Sequence, residues 1–520
     1  MSFSRSSGVL LHPTSLPGRY GVGDLGEEAQ RFIDFLAASG QTLWQVLPLG
    51  PTGYGDSPYQ SFSAFAGNTL LVSPDRLVSE GLLDAHDLAD PPAFSPERVD
   101  FGAAIEFKNK LLRRAFENFR RATDTSLRGA FEDFSRREAA WLDDYALYRA
   151  MKDARSGVAW NRWEPPMVRR DPQALAAARE GLAEQVSAQK FYQFLFFKQW
   201  HALKRYANER GVSVIGDIPI FVAHDSADVW THPHLFKLKE DGSPRVVAGV
   251  PPDYFSATGQ LWGNPLYDWE RLGAEDFRWW IARVSAMLRM VDILRIDHFR
   301  GFAASWEIPG GDTTAERGQW VDAPGRELFE AIKRALGTLP ILAEDLGVIT
   351  PDVEALRDDF NFPGMRILQF AFGGDTRNTD LPHNYHRDVA VYTGTHDNDT
   401  TVGWFTSPPG MNSTRTPAEI ERERKFCLDY LNADGREIHW DFIRAVLASV
   451  GNIAIIPLQD ILGLGNDARM NLPNSTSGNW SWRYAPGALD GDLRERLKAL
   501  TELYGRNLKV EAGAPKPDEH

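Results

Sequence analysis

Ile293-Leu294-Arg295-Ile296-Asp297-His298-Phe299-Arg300-Gly301 is an apolar, β-branched run that ends abruptly in charge. In an extended strand successive side chains alternate between faces, so Arg295 and Asp297 share one side while Ile296 points to the other. Polar residues gathered at the C-terminal end of a strand are what a parallel α/β barrel presents at its active-site mouth. There an adjacent guanidinium would hold the Asp297 carboxylate ionised, as a nucleophile requires. A structural ion pair joining strand to loop would read the same way in this segment alone.

Seven more short apolar runs lie at residues 9–11, 43–47, 212–218, 341–343, 366–370, 389–392 and 453–457. Most are followed by helix-period stretches, so the β/α alternation predicts an α/β chain folded as a closed (β/α)8 TIM barrel. The distance from first run to last exceeds a bare barrel of about 250 residues, which demands insertions. The barrel is expected over residues 1–508, interrupted by a mainly helical subdomain at 50–211 with amphipathic stretches at 107–121 and 131–151. A second insertion, 221–268, mixes turn formers with aromatics in Pro251-Pro252-Asp253-Tyr254-Phe255 and Gly259-Gln260-Leu261-Trp262-Gly263-Asn264-Pro265, the composition of a lid loop on the catalytic rim. Residues 509–520 are nearly devoid of apolar side chains and read as a flexible tail.

Three other run ends carry chemistry. Ile341-Leu342-Ala343-Glu344-Asp345 places two carboxylates after an apolar run, on opposite faces, and periodicity leaves open which one faces the pocket; a helix N-cap is the plainer role for Asp345. Thr393-Gly394-Thr395-His396-Asp397-Asn398-Asp399-Thr400 is a dense polar cluster in which Asp399 or Thr400 suits a cap. Gly216-Asp217-Ile218-Pro219 adds Asp217, suited to orienting an Arg on a neighbouring strand. Carboxylates converging from three strand ends supply an Asp nucleophile, a Glu acid and base and one further Asp, the chemistry of a retaining glycosidase.

Composition narrows the partners. A net charge of −14 repels phosphate backbones and anionic lipid surfaces, so neither nucleic acid nor membrane is expected. No leader-like or membrane-length apolar run is evident, which points to the cytoplasm. The one cysteine, Cys427, lacks a partner and reads as a buried thiol. Aromatics reach 12% with 16 Trp, enough to furnish stacking platforms for sugar rings. Tyr54, Tyr59, Tyr254, Phe255, Trp262, Trp480 and Trp482 lie in loop-like contexts that suit this role, whereas Trp200 and Trp279 read as core.

Residues 294–301, 343–347 and 394–399 resemble, in order and barrel position, three signature regions of the α-amylase clan. His12-Pro13-Thr14-Ser15-Leu16-Pro17, Trp44-Gln45-Val46-Leu47-Pro48-Leu49, residues 54–68, Gly216-Asp217-Ile218-Pro219-Ile220 and Gly478-Asn479-Trp480-Ser481-Trp482-Arg483 resemble glycoside hydrolase family 77, the amylomaltases, across nearly the whole chain. The resemblance implies 4-α-glucanotransfer between α-1,4-glucans or maltooligosaccharides as donors and glucose or maltooligosaccharides as acceptors, with no cofactor and no metal. It also implies Asp297 as nucleophile, Glu344 as acid and base, Asp397 as transition-state stabiliser and Arg295 as the group that positions the nucleophile. His298 and His396 would bind the sugar in the cleavage subsite, Ser57, Tyr59, Trp262 and Asn471 would line the groove, and Tyr54 would belong to a separate glucan site. Asn474 stands where the family pattern has Gly. A hydrolase on the same barrel would use the same residue types, and a metal enzyme built on His298, His396, Asp297 and Asp397 is disfavoured because adjacent His and Asp face opposite ways.

Overall fold

A computed structural model of the chain describes residues 3–252, 258–408, 416–473, 475 and 477–507. The expected tail at 509–520, Tyr254 and Phe255 of the lid sequence, and Asn474 lie outside the described residues. With strands numbered along the chain, eight form one parallel sheet: β1 (Ser6–Leu10), β2 (Leu43–Gln45), β3 (Ser213–Pro219), β6 (Ile293–Asp297), β9 (Ile341–Ala343), β10 (Gly364–Ile367), β11 (Val389–Tyr392) and β12 (Ile453–Pro457). Their order is β10-β11-β12-β1-β2-β3-β6-β9, every pairing is parallel, and β1 lies beside β12. This is the TIM barrel expected from the eight apolar runs.

Alternation sorts the strand residues into two apolar layers. Leu10, Leu43, Ile215, Ile293, Leu342, Ile367, Tyr392 and Ile455 pack with one another in the lumen. Val9, Trp44, Val214, Leu294, Ile296, Val391 and Ile456 join the larger cluster shared with the surrounding helices. Along β6 the lumen side climbs from Ile293 through Arg295 to Asp297, so an apolar floor gives way to charge toward the mouth. Cys427 is buried, and that burial pushes its thiol up to about 12.

The ring closes between β9 and β10, where no ladder forms. A backbone bond from Ala343 N–H to Pro363 C=O (2.9 Å) and the Asp345 side chain make the seam. The Asp345 carboxylate accepts from Met365 N–H (2.6 Å) and pairs with Arg357. Asp345 therefore caps no helix; it joins the fifth and sixth barrel strands, β9 and β10. The sixth strand begins earlier than its sequence suggests, at Gly364, and residues 368–370 form a 3-10 turn instead of continuing it.

Between β2 and β3 the chain is helical, with Phe101–Arg121, Thr125–Arg137, Ala139–Ala154 and Ala183–Glu209 as its main helices. The first two start on aspartate caps, Asp100 and Asp124, whose carboxylates take orphan N–H groups of the first turn. The 27-residue helix Ala183–Glu209 serves two packings: Phe191 stacks on Phe119 (4.4 Å between centroids), while Trp200 donates to Met290 C=O (2.9 Å) beside the barrel. Trp200 and Trp279 are core residues. A feature not foreseen is a second, antiparallel sheet of β4 (Val246–Val250), β5 (Gln260–Pro265), β7 (Ala304–Pro309) and β8 (Gln319–Asp322), in the order β5-β4-β7-β8. It joins the excursion after β3 to the one after β6. Among the described residues no helix is long and apolar enough to cross a membrane.

A Cβ on Gly364 would stand 2.4 Å from an Asp345 carboxylate oxygen. Gly364→Ala therefore forces the seam apart, and we expect a loss of about 1–3 kcal/mol in unfolding free energy, measured by urea denaturation. An unchanged midpoint would mean that the seam yields freely.

Candidate active site

β3 and β6 are in register such that Asp217 lies opposite Arg295 and Pro219 opposite Asp297. The Arg295 guanidinium spans both carboxylates, binding Asp217 Oδ2 at 2.5 Å and Asp297 Oδ1 at 3.0 Å. The Tyr59 hydroxyl donates to the same Asp217 oxygen at 2.8 Å. Arg295 and Asp217 are buried, while the Asp297 side chain keeps 30% exposure and so reaches the mouth. Burial pushes the Asp217 carboxyl up, Arg295 pulls it down, and the Asp297 charge pushes it up again. Burial first, then the charge of Asp217 and those of Asp297 and Asp397, lift the Tyr59 hydroxyl well above its usual range against the opposing pull of Arg295, so it remains a donor.

After Asp297 the chain must turn sharply, and His298 does so in the left-handed region (φ 51°, ψ 52°) before a 3-10 turn at Phe299–Phe302. That turn aims His298 N–H at Glu344 Oε2 (2.6 Å), while Leu346 N–H reaches Glu344 Oε1 (3.0 Å). Glu344 backbone groups bond across to Ile296 C=O and Phe299 N–H, both at 3.0 Å. Of the two adjacent carboxylates, Glu344 thus faces the mouth and Asp345 the seam. Burial first, and the Asp297 charge second, push Glu344 up to about 8. One carboxyl of the mouth is held beside a guanidinium while another retains its proton at neutral pH, the division of labour that acid-assisted nucleophilic chemistry needs.

Asp397 sits at the end of β11 with its side chain 50% exposed. Asn471 Nδ2 donates to Asp397 Oδ1 (2.6 Å), Arg469 donates to the Asp397 C=O (2.5 Å), and His396 Nε2 lies 3.4 Å from Oδ1. Burial lowers His396 and takes His298 down to about 4, so both imidazoles are neutral at pH 7. Trp262, on β5, meets His298 edge-on with centroids 4.7 Å apart, which places the antiparallel sheet over the mouth.

Arg295, Asp217, Asp297, Tyr59, Glu344, His298, Trp262, His396, Asp397 and Asn471 therefore share one mouth. Ser57 lies at the foot of the Tyr59 loop, where its Oγ accepts from Tyr59 N–H (3.2 Å). Tyr54 is 78% exposed, away from that network. Trp480 and Trp482, read as open loop aromatics, are only 5% and 6% exposed, because residues 480–483 are pinned beneath the site. Arg469 escaped the sequence reading as a site residue, since it ends no apolar run, and Trp480, read as an open stacking platform, instead lies buried behind Tyr59 and His396. Asp399 accepts from Asn466 (2.6 Å) and Thr400 caps Thr401–Thr406, both supporting roles. Asp225 pairs with Lys152, and Asp228 accepts from Ala64 N–H. Among the described residues no group of three or more His, Cys, Asp or Glu is arranged to hold a metal ion.

Known proteins share this chain's sequence and fold. Residues 11–489 match a family described as 4-alpha-glucanotransferase. A 4-alpha-glucanotransferase of Synechocystis sp. is 52% identical over 97% of this chain and 98% of its own, and one of Thermus thermophilus is 51% identical over 97% and 100%. The solved amylomaltase of Streptococcus agalactiae, in complex with acarbose, superposes with a TM-score of 0.91 at 42% identity, covering 96% of this chain and 99% of that one. The amylomaltase of Corynebacterium glutamicum, 18% identical over 96% of this chain and 75% of its own, shares the fold with a TM-score of 0.80. With its barrel, its mouth of carboxylates and its likeness over nearly full length, this chain belongs to the 4-α-glucanotransferase family, glycoside hydrolase family 77.

Proposed function

We propose that this chain, by family a 4-α-glucanotransferase, moves α-1,4-glucan segments by a retaining double displacement through a glucosyl ester on Asp297. The observation that carries the reading is the contrast in surroundings of two carboxyls in the mouth: Glu344 is buried and pushed up to about 8, while Asp297 is paired with the Arg295 guanidinium. In the first step an Asp297 oxygen attacks the anomeric carbon as Glu344 gives its proton to the departing glycosidic oxygen. In the second, the Glu344 carboxylate takes the proton of an acceptor 4-hydroxyl, whose oxygen displaces Asp297 from the same carbon. Two inversions restore the α configuration.

Asp397, anchored by Asn471, holds sugar hydroxyls as the ring flattens, and neutral His298 and His396 hydrogen-bond the same residue of the glucan. Trp262, Tyr59 and Ser57 line the groove, and Tyr54 provides a separate glucan contact on the rim. Donors are maltooligosaccharides or starch-like glucans, and acceptors are glucose or maltooligosaccharides. The insertions at 50–211 and 221–268 wall the groove, so that a sugar, rather than water, meets the ester.

Purified protein incubated with maltotriose and a chelator should yield glucose and a ladder of longer oligomers by chromatography. Shorter sugars alone would make it a hydrolase. Asp297→Asn and Glu344→Gln should each lower kcat by roughly three or more orders of magnitude while glucan binding survives. The Glu344 carboxyl must be protonated to act first as an acid, so kcat/KM should fall about tenfold per unit as pH rises above about 8. A profile level to pH 10 would remove Glu344 from that role. Arg295→Lys supplies one compact cation where a planar fork bridges two carboxylates, and should cost about 10²-fold in kcat; a variant as active as the parent would refute the bridge.

A further inference from the structure

Trp480, expected as an open sugar platform, is buried, and its backbone is held in an unusual state. It stands at φ +63°, a left-handed conformation that a bulky residue adopts only when its surroundings impose it. They do so from several directions. Its N–H donates to Met470 C=O (2.7 Å), and the next residue, Ser481, accepts from Val99 N–H (2.7 Å). Two residues further on, the buried Arg483 guanidinium donates to the carbonyls of Leu16, Gly18 and Ser95.

The indole so delivered meets two rings of the mouth. Its centroid is 5.9 Å from His396 and 5.9 Å from Tyr59, inclined 37° and 42° to them. His396 and Tyr59 stack on each other at 5.1 Å and 14°. Each is also tied to a carboxylate: the Tyr59 hydroxyl to Asp217, and His396 Nε2 to the neighbourhood of Asp397 Oδ1. A rotation of either ring would therefore be felt on both sides of the cleavage position. The same segment fixes the backbone there, because Asn471 N–H donates to His396 C=O (3.0 Å).

We propose that Trp480 is a positioning residue whose indole, set by a strained backbone, fixes the ring planes of Tyr59 and His396 against the reacting sugar. The inference rests on the proposed transferase reading, in which those two side chains contact the glucose being transferred. A tryptophan needed only as filler would be replaced by any apolar group of similar bulk. A glycine would even relax the backbone, since it enters the left-handed region freely.

The test compares Trp480→Phe, Trp480→Leu and Trp480→Gly with the parent on maltotriose, at a temperature where circular dichroism shows each variant folded. Absence of disproportionation by the parent would defeat the transferase reading itself, apart from any role of Trp480. Given parental activity, the Phe variant should keep kcat within about threefold, and the Leu and Gly variants should lose about 10²-fold in kcat with KM changed by less than about threefold. If the Gly variant does not fold, the Leu variant decides. The proposal is overturned if Leu matches Phe, if Phe falls as far as Leu, or if the loss appears in KM with kcat unchanged.

Discussion

A guanidinium inside a barrel is an expensive object, and the mouth is organised around compensating one. Arg295 has left water, and the two carboxylates it touches are the main offset to that cost. Each partner is thereby constrained: Asp217 by its place opposite Arg295 in the β3–β6 register, Tyr59 by its bond to Asp217, and Asp297 by the remaining arm of the fork. A buried ion pair of this kind contributes little net stability. What it supplies is geometry, because removing one member strands the others. The groove wall at Tyr59 and the reactive oxygen at Asp297 are consequently set by one charge.

The same low-dielectric setting separates the roles of chemically similar groups. Glu344 and Asp297 are both carboxyls of one mouth, but in one burial and a nearby negative charge outweigh the two backbone N–H groups that favour its ionised form, while the other touches a cation. His298 and His396 are both kept neutral by burial, so they meet a substrate as hydrogen-bonding groups and add no further cations to the site. Environment, more than residue type, assigns the work.

Much of this was legible in the sequence because barrel strands announce themselves by an apolar run with a polar end. Alternation alone placed Arg295 and Asp297 on one face. It could say only that Glu344 and Asp345 point opposite ways; their sorting depends on Met365 and Arg357, contacts made across the barrel seam. The antiparallel sheet stayed hidden for a similar reason. Its short strands come from two separate excursions, after β3 and after β6. The start of β10 was missed because Gly364 carries no strand signal, although the seam demands a residue without a side chain there. Trp480 and Trp482 looked exposed because Gly, Asn and Ser surround them; they are buried where the intervening Ser481 and the following Arg483 bond to Val99, Glu97 and Leu16, far away in the chain.

The pairing of β1 with β12 has a consequence for how the molecule is made. Ser6 lies opposite Ile453, a separation of 453 − 6 = 447 residues. At about 5–20 residues per second, a ribosome needs roughly 20 to 90 s to supply the missing neighbour. Throughout that interval one edge of the first strand has unpaired amides and apolar side chains beside it. The barrel cannot close before the last strand emerges, and until then the unpaired edge of the first strand is a site for mispairing.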